Sequence, residues 1–558
     1  MKLRIILAGI GALLLSACAK EIVESNPLIT EDGYAITATA IAPGAFVGTK
    51  AAYSDEYSEV EPISDINGTW ESGDSFKALE INGETITEVT FTASSGGANV
   101  TFTSKGAVEA NDNTTWVAVS GNVTIENGAF ICSYDGQDGT ISNIGKYDYS
   151  VATATGSKPA FNFAGDKRLT YVMRIILPEG IKFIEFNTGT TYNGGWSVSA
   201  TGKEKGTTSS TEKDAVKMIT LSSVSTAGKA AYIAVPAIDC MHSSDNRLAG
   251  LIVTIMSLDK KESQGKVTSA NLSANGGCCG TYDMSGLTLM ARPLPSEAIR
   301  LGSVTYDNVT YPLGSWAPFN LGGDDPTSDE AIKGALFSWA ETEPKTSFNK
   351  EQWRWFKNGA YDSGRGYKYV CAAEGVKPFI EVHYAGGKGL QSGPGTFYDI
   401  GGTKYDAARV KWGSEWRLPS NDIACNILRD AKYSLTPEID TENKVTITDY
   451  APGTYTNSAG YKSSEFGVVV IEANGATLAL YRCPYTQGND QGVGALINDA
   501  NKGRYWTSTT DYGNIIYSPG SNNYWNRAVH MRVDNGDNYV NNMGWIYDGH
   551  PIRAILNE

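Results

Sequence analysis

The sequence predicts a mainly β protein in which two tandem β-sandwich domains precede an α+β domain. Its 558 residues allow about three or four domains. Before residue 293, short apolar runs alternate with Thr or Ser between Gly- and Asn-containing turns, which is the pattern of half-buried strands. After Pro293, nine of the twelve tryptophans occur together with two helical patterns.

The first 292 residues contain many strand patterns and no amphipathic helix pattern. Val89 and Phe91 alternate with threonines, and Val100 and Phe102 repeat the pattern after the turn at Gly96-Gly97. Further strands are predicted at Met173–Leu177, Met218–Leu221, Tyr232–Val235 and Leu251–Ile255. About 260 residues of this kind correspond to two sandwiches, which we expect to join near residues 152–159.

Two helices are predicted beyond Pro293, one over Thr403–Lys411 and one that Ser420 caps. The inward face of the first helix carries Tyr405, Ala408 and Trp412. The inward face of the second helix carries Ile423, Ile427, Leu428 and Ala431. Asn474-Gly475 lies between two apolar runs and predicts a β-hairpin.

The composition argues against several function classes. The 46 basic and 61 acidic side chains give a net charge of −15, which disfavours a nucleic-acid partner because phosphate binding needs clustered Lys and Arg. Only four histidines occur, too few to favour a multi-histidine metal enzyme. The sequence contains no serine-hydrolase elbow, zinc-protease helix or phosphate-binding glycine loop. We therefore expect no enzymatic activity. A pair of carboxylates for glycoside cleavage has no characteristic spacing in a sequence, so sequence motifs do not test for one.

Two acidic segments are candidates for calcium. The segment Asp534-Asn535-Gly536-Asp537-Asn538 offers the oxygen ligands that calcium prefers, but Asn-Gly between two strands also forms a hairpin turn, which we favour. Clustered acidic residues in a loop are usually solvated surface. Such a loop contains Asp324, Asp325, Asp329 and Glu330. No cofactor is therefore expected.

The first eighteen residues predict an exported, lipid-anchored protein. Lys2 and Arg4 precede the apolar run Ile5–Leu15, which is too short to span a bilayer and is typical of a signal peptide. The segment Leu15-Ser16-Ala17-Cys18 resembles the bacterial lipobox, so we expect removal of residues 1–17 and lipid on Cys18. The alanine after this cysteine favours the outer membrane. The alternative is an ordinary signal peptide that contains a cysteine.

A series of short motifs follows the lipobox. They are Tyr34–Pro43, Trp70-Glu71-Ser72-Gly73-Asp74, Glu88–Thr92, Trp116–Ser120 and Tyr232–Pro236. In this order they resemble the fimbrillin superfamily of Bacteroidetes, the subunits of protease-matured pili. The resemblance implies fimbrillin-like sandwiches at residues 51–155 and 156–292, with residues 18–50 as a lipidated propeptide that carries the first strand. The alternative is a generic two-sandwich surface lipoprotein.

Residues 293–558 carry a second set of motifs. They are Phe337–Lys345, Tyr405–Ala408, Trp412–Ser420, Tyr505–Thr509 and Gly549–Arg553, of which the W-G-x-x-W-R-L-P-S run is the most specific. They resemble surface domains of Bacteroidetes and Fibrobacteres that have a C-type-lectin-like fold, which implies an adhesive α+β domain. We expect Trp412, Trp416 and Trp506 in its core and Arg417 as a buried brace.

One aromatic cluster of this domain is a candidate for ligand binding. Tyr524, Trp525 and Asn526 have polar flanks, and the aromatic rings would stack on a sugar face. Packing inside the domain is an equal alternative for them. The familiar calcium-dependent sugar motifs of lectins do not occur.

The resemblances together imply a tip subunit of a fimbrium, which mediates cell adhesion or biofilm formation. In that family a protease removes the first strand, and a strand of another subunit fills the groove by β-augmentation. The partners would be other fimbrillin subunits and a host or bacterial surface ligand such as a glycan. We expect Ile552–Leu556 to pair within their own domain, so that this subunit accepts a strand without donating one. The precursor would lie in the outer membrane and the mature protein in the fimbrium.

The cleavage site departs from the family pattern. Cleavage in the family follows arginine, yet no arginine occurs between Arg4 and Arg168, and Lys50 before Ala51 is the candidate. Without cleavage, the protein would keep its lipid and its first strand as a surface-anchored adhesin or a basal pilus anchor. The alternative from a different functional class is an outer-membrane lipoprotein that binds glycans for nutrient uptake.

Overall fold

The computed structural model describes much of the chain from residue 29 onward and leaves internal gaps. The described residues are 29–30, 33–34, 37–41, 44–45, 47–48, 67–105, 110–164, 168–187, 196–199, 202–205, 216–237, 252–267, 278–306, 308–349, 361–362, 366–367, 398–402, 405–428, 445–488, 494–510, 527–545 and 547–558. The fold is mainly β, as the alternating patterns predict. Within the described segments, no helix is both long and apolar enough to span a membrane.

A seven-stranded sheet forms the unit that we call the first β domain. Its strands in spatial order are Val151–Thr155, Thr115–Val119, Ser75–Asn82, Thr85–Ala93, Asn99–Lys105, Thr37–Ile41 and Ala160–Asn162. The two outermost strands are consecutive in the chain and lie side by side, so the sheet curls around its core. Separate short pairs are formed by Ile29–Thr30 with Gly33–Tyr34 and by Gly44–Ala45 with Asn67–Gly68.

Among the residues that the structure describes, the second β domain contains three sheets. The four-stranded sheet contains Ala230–Pro236, Thr170–Ile176, Cys278–Asp283 and Val47–Gly48. The five-stranded sheet contains Val216–Thr220, Ile181–Asn187, Ile252–Ser257, Glu262–Val267 and Met290–Ala291. The third sheet contains Thr124–Glu126, Ala129–Cys132, Trp196–Ser199 and Gly202–Lys205. A single apolar core joins these sheets, and the short helix Ile141–Ile144 lies beside them.

Strand pairing crosses the predicted boundary between residues 155 and 156 in both directions. Strand Ala160–Asn162 belongs to the sheet of the first β domain, whereas Ala129–Cys132 pairs with Trp196–Ser199 in the second. The buried bidentate pair of Arg168 and Asp148, with N···O distances of 2.7 and 2.5 Å, lies where the two domains meet. The boundary stays a prediction, but the chain passes between the two domains more than once.

In the described residues, the C-terminal domain combines several small sheets with three short helices. One sheet contains Ile299–Tyr306, Val309–Trp316, Ile555–Leu556 and Trp416–Arg417, and another contains Tyr398–Asp399, Arg504–Thr510, Arg527–Asp534 and Asp537–Trp545. The smaller sheets contain Val445–Tyr450, Val468–Ala473 and Ala476–Tyr481, then Tyr485–Gly488 with Gly494–Ile497, and Tyr361–Asp362 with Gly366–Tyr367. The helices are Asp329–Lys333, Ala407–Trp412 and Asn421–Leu428.

Both predicted helices of this domain exist with small differences. The first begins at Ala407 and not at Thr403, because Asp406 caps it by accepting the backbone N–H groups of its first turn. The second begins at Asn421, and the Ser420 hydroxyl lies 3.5 Å from the Ile423 amide nitrogen, as a cap does. The predicted hairpin is also confirmed, with positive φ angles of 51° and 79° at its two central residues, Asn474 and Gly475.

Candidate functional site

The candidate site residues predicted from the sequence lie outside the described residues. They are Cys18, Lys50, Ala51, Tyr524, Trp525 and Asn526. The described strand Val47–Gly48 comes shortly before Lys50, and strand Arg527–Asp534 follows Asn526 directly. Lipidation, cleavage and sugar stacking at these positions therefore stay predictions.

The strand Thr37–Ile41 lies inside the sheet of the first β domain and pairs on both sides. It is antiparallel to Asn99–Lys105 over five residue pairs and parallel to Ala160–Asn162 over three. The Thr39 amide also donates to the carbonyl oxygen of Pro159 at 3.2 Å. Loss of this strand would expose backbone groups on two neighbouring strands, which form a template for another strand.

The side chains of this strand alternate between core and solvent. Ala38 and Ala40 are buried, whereas Thr37 and Thr39 are exposed. This alternation follows from the two-residue period of a strand in a half-buried sheet. Residues before the candidate cleavage site therefore supply part of the domain core.

A cluster of aromatic rings lies beneath the strand. It consists of Trp70, Phe76, Phe91, Phe102, Trp116, Phe161 and Phe163. The W-x-x-G-D motif positions the first of these rings through a tight turn, in which the Glu71 amide donates to Asp74 Oδ2 at 2.7 Å and Gly73 has a φ of 92°. The motif is therefore structural, because it directs Trp70 into the core.

The N-terminal segment also reaches the second β domain. Val47–Gly48 pairs in parallel with Cys278–Asp283 at the edge of the four-stranded sheet. The two strands Thr37–Ile41 and Val47–Gly48 thus belong to different domains although only five residues separate them. Both precede the candidate cleavage site at Lys50.

The C-terminal domain packs tightly on the five-stranded sheet of the second β domain. The hydroxyls of Thr254 and Ser263 donate to the backbone carbonyls of Val410 and Lys411 at 3.2 and 2.5 Å. A Cβ placed on Gly265 would lie 1.3 Å from the Val410 carbonyl oxygen, so only glycine fits there. The helix Ala407–Trp412 therefore lies directly on the strand Glu262–Val267.

A buried carboxylate contributes to the same interface. Glu185 accepts the Ser414 amide N–H at 2.8 Å and the Ser414 hydroxyl at 3.1 Å. Burial raises the pKa of Glu185 above its ordinary value, while the donors of Ser414 and the charges of Arg292 and Arg409 act in the opposite direction. Arg292 itself forms an ion pair with Glu415.

The three tryptophans expected in the core of the C-terminal domain lie there, as predicted. Trp412, Trp416 and Trp506 are fully buried. The indole of Trp412 donates to the Ala291 carbonyl at 2.9 Å, and that of Trp416 donates to the Pro293 carbonyl at 3.1 Å. These two rings therefore fasten the segment that joins the second β domain to the C-terminal domain.

Asp406 is a structural residue that the sequence patterns did not single out. It is fully buried, and its carboxylate accepts the backbone N–H groups of Gly402, Ala408, Arg409 and Leu418 at 2.8 to 3.2 Å. Burial raises the pKa of this carboxyl to about 6, while the same N–H donors and the charge of Arg409 lower it. The position of Asp406 within the Tyr405–Ala408 motif is the sequence feature that could have identified it.

The buried brace is Arg553 and not Arg417. Arg553 donates to Asn320 Oδ1 at 2.8 Å and to the carbonyl oxygens of Ala317 and Pro318 at 3.2 and 3.1 Å. Arg417 is only partly buried, and its Nε has no hydrogen-bond partner among the described residues. The prediction of a buried brace at Arg417 is therefore wrong, because that residue is only partly buried, whereas Arg553 is fully buried.

The structure decides in favour of a turn at the candidate calcium loop. Asn535-Gly536 connects two antiparallel strands, and Gly536 has a φ of 76°. The Asp534 carboxylate accepts hydrogen bonds from Arg504 and Arg532, both at 2.5 Å, so its oxygens are occupied by cations of the protein. Within the described part of the chain, no group of three His, Cys, Asp or Glu side chains is placed to hold a metal ion.

Two buried histidines pack in the core of the C-terminal domain. The His550 ring stacks on Trp506 with 4.0 Å between centroids, and the His530 ring lies 5.1 Å from His550. Burial lowers the pKa of both imidazoles well below the ordinary value, and the charge of Arg504 acts in the same direction. Sequence spacing gave no sign of this pair, because His530 lies in strand Arg527–Asp534 and His550 lies outside the strands, so the two meet only in the fold.

Comparisons with known proteins give structural matches only. No protein-family model and no curated protein matches the sequence. A candidate cell adhesion protein from Bacteroides ovatus matches with 12% identity and a TM-score of 0.29, covering 45% of this chain and 94% of that protein. Another from Bacteroides fragilis matches with 12% identity and a TM-score of 0.22, covering 46% and 97%. The shaft pilin SpaA of Lactobacillus rhamnosus GG matches with 9% identity and a TM-score of 0.16, covering 46% and 98%. These values are too low for the matches to carry an argument about function.

Proposed function

We propose that this chain is a fimbrium tip subunit, a cell-surface adhesin that joins the pilus by donor-strand exchange. The observation that carries the proposal is the strand Thr37–Ile41, which lies before Lys50 and pairs on both sides within the first β domain. Cleavage after Lys50 releases this strand and opens a groove that a strand of another subunit fills. The short strand Val47–Gly48 leaves with it and frees an edge of the second β domain.

The proposal also assigns an outward position to the C-terminal domain. Ile555 pairs with Trp316 and Arg417, and the neighbouring Leu556 pairs with Trp416, so this strand is already used inside its own sheet. The domain is fixed to the second β domain by Glu185 and by the helix Ala407–Trp412. A C-terminal domain fixed in this way transmits force from a bound host or bacterial surface ligand, such as a glycan, to the pilus. The precursor is anchored in the outer membrane by lipid on Cys18.

N-terminal sequencing of the protein from sheared surface filaments and from outer membranes tests this function. The expected result is a filament form that starts at Ala51 and a membrane precursor that starts at Cys18. A Lys50→Gln variant is expected to stay uncut and to be absent from filaments, whereas a Lys20→Gln control matures normally. A single membrane form that starts at Cys18 and is missing from filaments would overturn the proposal in favour of an outer-membrane lipoprotein that binds glycans for nutrient uptake.

A further inference from the structure

We infer that the groove opened by loss of Thr37–Ile41 accepts only a strand with small side chains at its two inward positions. The inference rests on the proposed strand exchange and specifies the partner, which is a segment of another pilus subunit with alanine-sized residues two positions apart. The inference is based on the register of Thr37–Ile41 with its two neighbouring strands.

The inward positions face large buried side chains. Ala38 is opposite Phe102, and Ala40 lies between Val100 on one side and Phe161 on the other. The exposed fractions are 2% for Ala38 and 0% for Ala40. Both methyl groups are therefore enclosed by the core.

The rings beside these positions are packed against other rings of the core. Phe102 packs edge-on against Phe76 at 4.8 Å and against Trp70 at 5.1 Å between ring centroids. Phe161 packs against Phe76 at 5.1 Å and against Phe91 at 5.7 Å. Because interiors of this kind are packed as densely as organic crystals, a larger inward side chain forces strained rotamers or a backbone shift.

The outward positions carry no such limit. Thr37 and Thr39 are exposed, and the residues opposite them, Thr103 and Thr101, are exposed as well. The groove therefore selects by size at alternate positions only. The direction is also fixed, because the incoming strand must run antiparallel to Asn99–Lys105 and parallel to Ala160–Asn162 to reproduce the hydrogen bonds.

The test uses the full chain with a site-specific protease sequence inserted after Lys50. After cleavage, the fluorescently labelled N-terminal segment stays bound by strand pairing, and its displacement by synthetic peptides is followed by anisotropy. Three peptides of residues 33–48 are compared: the native sequence, an Ala38→Leu/Ala40→Leu peptide, and a Thr37→Leu/Thr39→Leu control that carries two leucines at the outward positions.

The native and control peptides are expected to displace the label equally well. The Ala38→Leu/Ala40→Leu peptide is expected to bind at least tenfold more weakly, which is about 1.4 kcal/mol at 25 °C. In a chain with Phe102→Leu, the deficit of a single Ala38→Leu peptide should shrink, because the substitution makes room opposite that position.

The possible failures are distinct. If the native peptide displaces the label and the Ala38→Leu/Ala40→Leu peptide does so equally well, the size rule is wrong and strand exchange stands. If the control peptide binds as weakly as the inward variant, the selection is not by inward size and the rule is also wrong. If even the native peptide never enters the cleaved chain, strand exchange fails and the inference falls with it.

Discussion

Glu185 in the second β domain accepts two hydrogen bonds from Ser414 in the C-terminal domain, at 2.8 and 3.1 Å. Glu185 is only 4% exposed, and a Cβ placed on Gly413 would lie 3.1 Å from its Oε2 atom. A buried carboxylate keeps its place only where donors and nearby positive charges compensate for lost hydration. The contact therefore joins the second β domain and the C-terminal domain into one packed unit.

Replacing Glu185 by alanine should destabilise this unit. The Ser414 donors would lose their acceptor inside an interface, which costs about 2 kcal/mol of unfolding free energy. Urea denaturation followed by tryptophan fluorescence measures the loss. The control is Glu179→Ala, an exposed carboxylate in the turn before the same strand, for which we expect a change within about 0.5 kcal/mol. Equal effects of the two substitutions would argue against a role for the Glu185 contact.

Gly265→Ala should separate the helix Ala407–Trp412 from the second β domain. The added methyl would lie 1.3 Å from the Val410 carbonyl oxygen, so backbone must move. We expect a loss of about 3 kcal/mol and faster amide hydrogen exchange in that helix. Gly286→Ala is the matched control, because a Cβ there meets no atom within 4 Å. Unchanged exchange in the Gly265→Ala protein would show that the two surfaces are not packed together.

Asp406→Ala should weaken the C-terminal domain more than an ordinary helix-cap substitution. Four backbone N–H groups lose their acceptor, and two of them belong to Gly402 and Leu418 outside the helix. We expect a loss of about 3 kcal/mol in unfolding free energy, measured by urea denaturation. Asp422→Ala, an exposed acidic residue in the first turn of the second helix, should cost only about 0.5 kcal/mol. If Asp406→Ala lowers the unfolding free energy as little as Asp422→Ala does, the bracing role of Asp406 is refuted.

The buried histidines His530 and His550 should make the C-terminal domain less stable in acid. Their pKa values are lowered in the folded state, whereas an unfolded histidine has a pKa of about 6.5. On acidification the unfolded chain therefore takes up protons first, and the unfolding free energy falls as the pH drops through about 6.5. Buried carboxyls with raised pKa values, such as Asp548, act in the opposite sense, so the histidine contribution has to be isolated by substitution.

His530→Leu isolates that contribution. Neither ring nitrogen of His530 has a hydrogen-bond partner among the described residues, so the substitution removes a titrating group without breaking a described bond. Between pH 7.5 and 6, we expect the unfolding free energy of the variant to fall by about 0.8 kcal/mol less than that of the wild type. Urea denaturation across this range measures it. Parallel pH profiles for the two proteins would contradict the prediction.

Local patterns were sufficient to predict many elements of this fold. Alternation identified the strands around Phe91 and Phe102, and the Asn474-Gly475 pair identified a hairpin whose turn has the required positive φ angles. The size of the aromatic rings placed Trp412 and Trp416 in the core correctly. Each of these features depends on residues close together in the chain, so the sequence carries the information directly.

The tertiary structure alone decided which distant segments meet. Thr37–Ile41 acquires its two neighbours, and Glu185 acquires Ser414, only when the sheets assemble. The sequence could not assign the brace to Arg553 instead of Arg417, since Asn320, which accepts from Arg553, lies 233 positions away in the chain. Pairing between strands that are distant in the chain depends on the packing of whole sheets, and no local pattern of residues in the sequence encodes it.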